Sequence, residues 1–246
     1  MERGFGRTRN RITPFLSPVA IAFLFFASLH GNDATDLSHL RETIASLDAV
    51  ILEEPNSASA YQSRGVAYFE LGEFQKAIDD FDRVIELYPS QEPHHWQRGI
   101  CYYYAGEFEK GVKQFELHQT VNRNDVENAV WHFICKARAS GIEPAQASLI
   151  PIKFDSRVPM TQIWELFSGA GSPESVLQIA SPKGEESSAF RQRLCYAHLY
   201  IGLYHEAHGR PNLAQKHIAL AATKYAMDNY MGMVARVHHR LLSQTE

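Results

Sequence analysis

Seven residues recur at one fixed spacing. Gly65, Tyr68, Gly72, Glu73, Phe74, Lys76 and Phe81 return as Gly99, Tyr102, Gly106, Glu107, Phe108, Lys110 and Phe115, each 34 residues on. A period of that length predicts two helices joined by a turn. Such a unit is too small to bury its own apolar face, so it stacks on the next unit into a solenoid. The residue types fit those positions. The first Gly lets the two helices approach closely, and the Tyr fills the gap between them. The second Gly ends the first helix in a left-handed cap, and the aromatic nine residues later anchors the second helix. No stretch alternates with the period of a strand, so the chain is predicted to be all-α.

These residues resemble the tetratricopeptide repeat family. Ala77 holds the small position of the family's second helix and Pro89 its terminal proline. The resemblance implies a helix–turn–helix solenoid with two clear repeats, a degenerate third and a repeat-like C-terminal unit. Short non-repeat helices lie between them. It implies protein–protein binding and names no partner.

Charge excludes some functions. The net charge of 246 residues is −4, and the first 31 residues carry Arg3, Arg7, Arg9 and Arg11 against Glu2, so the remainder is the acidic part. An acidic body with no Lys/Arg run does not fit nucleic acid, nor adsorption to an anionic membrane. Cys101, Cys135 and Cys195 form no CxxC pair, so no zinc site is indicated. Cys101 and Cys135 hold equivalent positions in neighbouring repeats. Packed helices lie about 8–10 Å apart, beyond the reach of a disulfide at about 7 Å between Cα atoms. All three read as buried free thiols.

Residues 1–31 read as a leader. The Arg cluster precedes Pro14, and Val19 to Leu29 is almost wholly apolar. That core is short for a bilayer-spanning helix and right for a signal peptide. Gly31 and Leu29 fit the −1 and −3 positions of a cleavage site. The competing reading is an uncleaved anchor using the longer run from Ile12 to His30, with the Arg cluster cytoplasmic. Both place the rest of the chain outside the cytoplasm, periplasmic or secreted. The leader has no Cys, so it is not a lipoprotein signal.

Leu37 to Leu52 reads as an amphipathic helix carrying Leu40, Ile44, Leu47 and Ile51, and Pro55 stands 34 before Pro89. It is the second helix of a unit lacking its first, and it caps the array at 32–57. The repeats occupy 58–150. The first runs from Ala58 to Pro89. The second runs from Glu92 to about Val121, with Pro93 in its first helical turn. The degraded third opens at Asp125, reaches Gly141 one residue late, and starts its second helix at Pro144. A non-repeat segment, 151–186, follows. It has a helix opening at Pro159 with Met160, Ile163, Trp164 and Phe167 on one face, stopped by Gly169 or Gly171. A helix from Ser172-Pro173 to about Ala180 and a polar loop from Ser181 to Glu186 complete it. In 187–246 a long helix runs to His208. Gly202, Gly209, Ala214 and Ile218 echo Gly65, Gly72, Ala77 and Phe81, and a last helix spans Asn229 to Leu242.

From about 120 to 242 this order resembles the NlpI-type tetratricopeptide lipoproteins of bacterial cell envelopes. The likeness rests on Asn124-Asp125 before a Trp-containing helix, the run of short helices, and Tyr200, Gly202, Tyr204 and Gly209. It implies a scaffold for envelope proteases and peptidoglycan hydrolases, often dimeric. That family is anchored through a leader Cys, and here the first Cys is Cys101.

In such arrays the inner face of each first helix binds a partner segment. Here that face is Gln62, Val66, Phe69 and Glu70, then Trp96, Ile100, Tyr103 and Tyr104. Its aromatic content suits an interface anchor. Equally, the terminal helices or the non-repeat middle can fold back and bury it. A carboxylate clamp for acidic chaperone tails would fall on Gln62, Val66, Gln97, Glu127 and Trp131, which include no cation. Among the histidines, His198, His205 and His208 share a helix face and His217 lies on the next helix. His198 and His205 stand about 10 Å apart along the axis, too far to share an ion. His205 and His208 lack an obvious third ligand. Neither a His-Glu-x-x-His, a Gly-x-Ser-x-Gly nor a phosphate-binding Gly loop occurs, and Gly169-Ala-Gly171 reads as a helix stop. Cys101 and His118 can approach within one repeat, but a nucleophilic thiol needs an exposed electropositive site. The expectation is a non-enzymatic scaffold without cofactor. A metalloprotein or hydrolase built on the histidines, and a self-assembling structural protein, are the alternatives.

Overall fold

The computed structural model describes residues 33–181 and 187–244, and the leader and most of the Ser181–Glu186 loop lie outside them. Every regular element among the described residues is helical. α1 (Asp33–Glu53) leads into α2 (Ala58–Leu71) and α3 (Phe74–Leu87). A 3₁₀ segment (Pro89–His94) precedes α4 (Trp96–Tyr104) and α5 (Phe108–Gln119). α6 (Val126–Ser140) and α7 (Ile142–Ala147) form the third unit. α8 (Met160–Ser168) and α9 (Pro173–Ala180) are the non-repeat helices. α10 (Ser188–Ala207), α11 (Pro211–Ala222) and α12 (Tyr230–Ser243) complete the chain. No helix among the described residues is long and apolar enough to cross a membrane.

The repeated residues do the same work in each copy. A Cβ on Gly65 would stand 2.6 Å from the Phe81 ring, and one on Gly99 would stand 2.7 Å from Phe115. The paired helices therefore pack this closely only with glycine there. Gly202 meets Ile218 in the same way at 2.7 Å, between α10 and α11. Gly72, at φ 89°, closes α2 through bonds from its own N–H to Phe69 O and from Glu73 N–H to Tyr68 O.

A polar ladder keeps the same register. Arg64 binds Asp80 at 2.6 and 2.8 Å and Asp48 at 2.6 Å. One repeat on, Arg98 binds Gln114 at 2.6 and 2.9 Å and Asp82 at 2.6 Å. Asp48 precedes Asp82 by 34, so α1 occupies the slot of a second helix. It buries Leu40 and Ile44 against Ala67.

Two boundaries differ from expectation. Pro93 lies in the 3₁₀ segment, and α4 begins only at Trp96. Pro93 has no N–H to give Pro89 O, and its ring would strike that carbonyl in an α-helix. The segment's carbonyls are taken from α5 instead: Gln114 Nε2 donates to Glu92 O at 2.8 Å, and His118 Nδ1 to Pro93 O at 2.8 Å. α7 begins at Ile142 with Pro144 third in it. First-turn N–H groups lack intrahelical partners anyway, so proline is tolerated there. Of the two proposed stops for α8, Gly169 is the one used, at φ 83°.

The non-repeat middle is a wedge. Phe167 of α8 packs edge-on against Phe133 of α6 at 5.2 Å and against Tyr204 of α10 at 5.5 Å. Trp164 Nε1 donates to Ile150 O at 3.0 Å and ties down the preceding loop. One apolar core therefore runs from Phe69 to Val237, across the sequence boundaries at 150 and 186.

Candidate functional site

The concave face expected to bind a partner is lined by a helix of the same chain. Tyr230, at the start of α12, stacks on Phe69 with ring centroids 5.5 Å apart and meets Trp96 edge-on at 4.9 Å. Further along, His238 Nδ1 is 2.9 Å from the Tyr104 hydroxyl, and His238 Nε2 is 2.9 Å from Glu206 Oε2. The Tyr103 hydroxyl donates to Glu206 Oε1 at 3.1 Å. Arg236 pairs with Glu70 at 3.1 Å, and Arg240 donates to the Glu70 carbonyl. Phe69, Ile100 and Tyr103 are buried, while Gln62, Val66, Glu70, Trp96 and Tyr104 are half-buried. Of the two readings of this face, the structure has the terminal helix folded onto it.

Beside Trp96 and Tyr230 the concave side continues into a cavity of about 360 Å³. Its walls are Trp96, Phe115, Trp131, Tyr196 and Tyr230, and its mouth carries Asn122, Asp125 and Arg157. α6 supplies the floor, with its N-cap Asp125 accepting from Glu127 N–H at 3.1 Å. Glu127 is buried. Tyr200 donates to its Oε2 at 2.7 Å and Arg157 to its Oε1. Burial pushes the Glu127 carboxyl up to about 7, and the Arg157 charge offsets only part of that. Arg157 also reaches Asp125 at 2.7 Å and Asp155 at 2.6 Å. Burial works against Asp155 too, but the hydrogen bonds from the Arg157 side chain and from the Arg157 and Val126 N–H groups leave it below its ordinary value. Three cavity residues keep a buried polar atom with no hydrogen-bond partner among the described residues: Trp131 Nε1, Asn128 Oδ1 and the Tyr230 hydroxyl. Asn128 is oriented by its amide nitrogen, which donates to Phe115 O and Gln119 Oε1 at 3.1 Å each.

Residues 58–91, which are α2, α3 and the turns around them, match the family model of the tetratricopeptide repeat. The chain carries a tetratricopeptide repeat. A tetratricopeptide repeat protein from Parabacteroides merdae ATCC 43184, solved at 2.39 Å, is similar at 15% identity over 85% of this chain and 80% of that chain, with a TM-score of 0.47. No curated protein matches.

Glu127 and Trp131, the α6 positions weighed for a carboxylate clamp, both line the cavity. Asn128, Arg157, Tyr196 and Tyr230 were not foreseen. They converge from α6, the 151–158 stretch, α10 and α12, and no local pattern links them.

The histidines divide differently from the sequence reading. His198 Nδ1 lies 2.9 Å from His217 Nδ1, and the His205 ring stands 5.7 Å from that of His217. His208 instead donates to Tyr204 O at 2.8 Å. Among the described residues no three His, Cys, Asp or Glu are grouped to hold a metal. Burial, reinforced by neighbouring positive charge, pushes His198 and His217 down to about 4. Cys101, Cys135 and Cys195 are buried and free, and burial pushes all three thiols up. His118 spends its Nδ1 on Pro93 O.

Proposed function

We propose that this chain is a non-enzymatic scaffold that binds segments of partner proteins on its concave face, outside the cytoplasm. Tetratricopeptide repeats as a class mediate protein–protein contact. One observation carries the reading: the aromatic face already holds a helix. α12 is seated through Phe69, Trp96 and Tyr104, in the manner of a helix docked in a groove. The part left for a partner is the cavity end, where Trp96 and Tyr196 are only half-buried. Export rests on the Arg-flanked apolar leader. The layout resemblance points to envelope proteases and peptidoglycan hydrolases as the partner class.

The test is affinity capture of envelope proteins by the chain beside its Trp96→Ala variant, read by mass spectrometry with circular dichroism as the folding control. Partners lost with the variant support binding at this end of the face. Identical sets from both proteins remove it. Fusion of residues 1–31 to a reporter enzyme active only outside the cytoplasm tests export, and a silent reporter overturns that part.

A further inference from the structure

We infer that the cavity between α6, α10 and α12 is a binding site for a cationic side chain, an Arg or Lys of a partner segment. This deepens the concave-face reading and rests on it. The walls that keep accessible surface are aromatic. Trp96, Tyr196 and Tyr230 line the cavity and are each only half-buried. The Trp96 and Tyr230 rings stand nearly perpendicular, at 85° with centroids 4.9 Å apart, as two sides of a box. The faces of such rings carry partial negative charge and attract cations. The mouth adds charge of the same sign. Asp125, Glu127 and Asp155 share the guanidinium of Arg157, and three carboxylates against one cation leave a negative excess. The N-terminus of α6 offsets about half a charge. A proton on Glu127 would offset one more, and the sign would still be negative. The field is felt at the wall: burial and the Glu127 charge push the Tyr196 hydroxyl up, and the Arg157 charge pulls it back by less.

Other occupants fit less well. An anion would meet the three carboxylates. A neutral apolar side chain would gain the rings and leave the charge unanswered. An Arg or Lys answers both, because its aliphatic stem can lie along apolar walls while its head lies over a ring beside a carboxylate. The chain uses that combination on itself twice. Lys76 Nζ lies 5.5 Å from the Tyr68 ring centre and pairs with Glu73, and Lys110 Nζ lies 5.5 Å from the Tyr102 ring centre and pairs with Glu107. A volume of about 360 Å³ is at the small end of ligand sites, which run from about 300 to 1,000 Å³. It admits a single residue of a partner segment.

The experiment follows indole N–H signals in the full chain labelled with ¹⁵N-tryptophan, at constant ionic strength. Three indoles are present. Trp96 is assigned with Trp96→Phe, and Trp164, whose indole is committed to Ile150 O, serves as internal control. The chain is titrated with the N-acetyl amides of arginine, lysine, citrulline and glutamate. Citrulline has the shape of arginine without its charge. A saturable shift of the Trp96 signal with arginine or lysine is expected, at least about fivefold tighter than with citrulline, and no shift with glutamate. Asp125→Asn keeps a residue that caps α6 and removes one carboxylate. It is expected to weaken cation binding about three- to fivefold and to leave citrulline unchanged. Tyr196→Leu, which keeps apolar bulk and removes the ring, is expected to weaken cation binding about two- to fivefold. The tighter of arginine and lysine names the residue that the partner inserts. Equal binding of arginine and citrulline means the cavity reads shape alone, and a response led by glutamate gives it to an anion. An unmoved Trp96 signal means that no side chain enters. Each of these overturns the inference, as does cation binding that Asp125→Asn leaves unchanged. None touches the capture experiment, which can succeed through partner contacts of other chemistry on the concave face.

Discussion

Glu127 shows how one side chain sets the behaviour of its surroundings. It is buried between the Tyr200 hydroxyl and the exposed Arg157 guanidinium. Burial raises its carboxyl from 4.5 to about 7. The folded chain therefore keeps a proton that the unfolded chain releases across that window. Stability falls as pH rises from about 4.5 to 7, by on the order of 3 kcal/mol at about 1.4 kcal/mol per pH unit. Glu127→Gln has no proton to lose and retains an oxygen for Tyr200. The variant's thermal midpoint, relative to the parent chain's, should be higher at pH 8 than at pH 5. Calorimetry at the two pH values measures this, and an offset independent of pH refutes it. His95, His198 and His217 act in the opposite direction. Burial pushes each down, so they remove stability as pH falls below about 6.5. They are common to both proteins and drop out of the comparison.

At the scale of the element, α12 is the helix that decides what the concave face is for. Asn229 caps it by accepting from Gly232 N–H at 2.8 Å. Its first residue, Tyr230, supplies the stack on Phe69 and the edge contact with Trp96. Tyr230→Ala should destabilise the chain by about 2–4 kcal/mol, because a large half-enclosed ring leaves a gap that its neighbours cannot fill. Urea unfolding measures the loss, and a change below about 0.5 kcal/mol would mean that α12 is not held on this face. The repeats' own elements were legible in advance. α2, α3 and α5 lie where Gly65, Gly72, Phe81 and their echoes place them, because each glycine answers a local demand of a close approach or a left-handed cap. The start of α4 was not legible, because two prolines four residues apart override helix periodicity.

Over the whole molecule, the apolar core passes without a break from the repeats through the α8–α9 wedge to α10, α11 and α12. α1 stands apart on its own small cluster of Leu40, Ile44 and Ala67, tied on by the Arg64–Asp48 pair. Amides of α1 should therefore exchange with solvent well ahead of those in α6 and α10, by local opening. The bulk of the chain should unfold in one transition, since its parts share buried neighbours. Hydrogen exchange with mass spectrometry resolves the first point, and protection in α1 equal to that of α6 would contradict it. Coincident fluorescence and dichroism curves in urea decide the second.

The all-α class, the 34-residue register, the caps and the pairing of helices within each repeat follow from the chain's local chemistry. Each depends on residues within one unit, or on the same residue one unit away, so spacing alone carries the information. The fate of the concave face does not. It turns on Tyr230, Arg236 and His238 meeting Glu70, Phe69 and Tyr104, partners more than 130 residues apart. The cavity beside it is assembled from α6, α10, α12 and Arg157 of the preceding loop. Burial of one aromatic surface by another favours any pairing of the right shape, so composition permitted both an open groove and a filled one. Tertiary packing selected the filled one, and in doing so enclosed the indole of Trp131 and the amide of Asn128 around a space that no single stretch of sequence outlines.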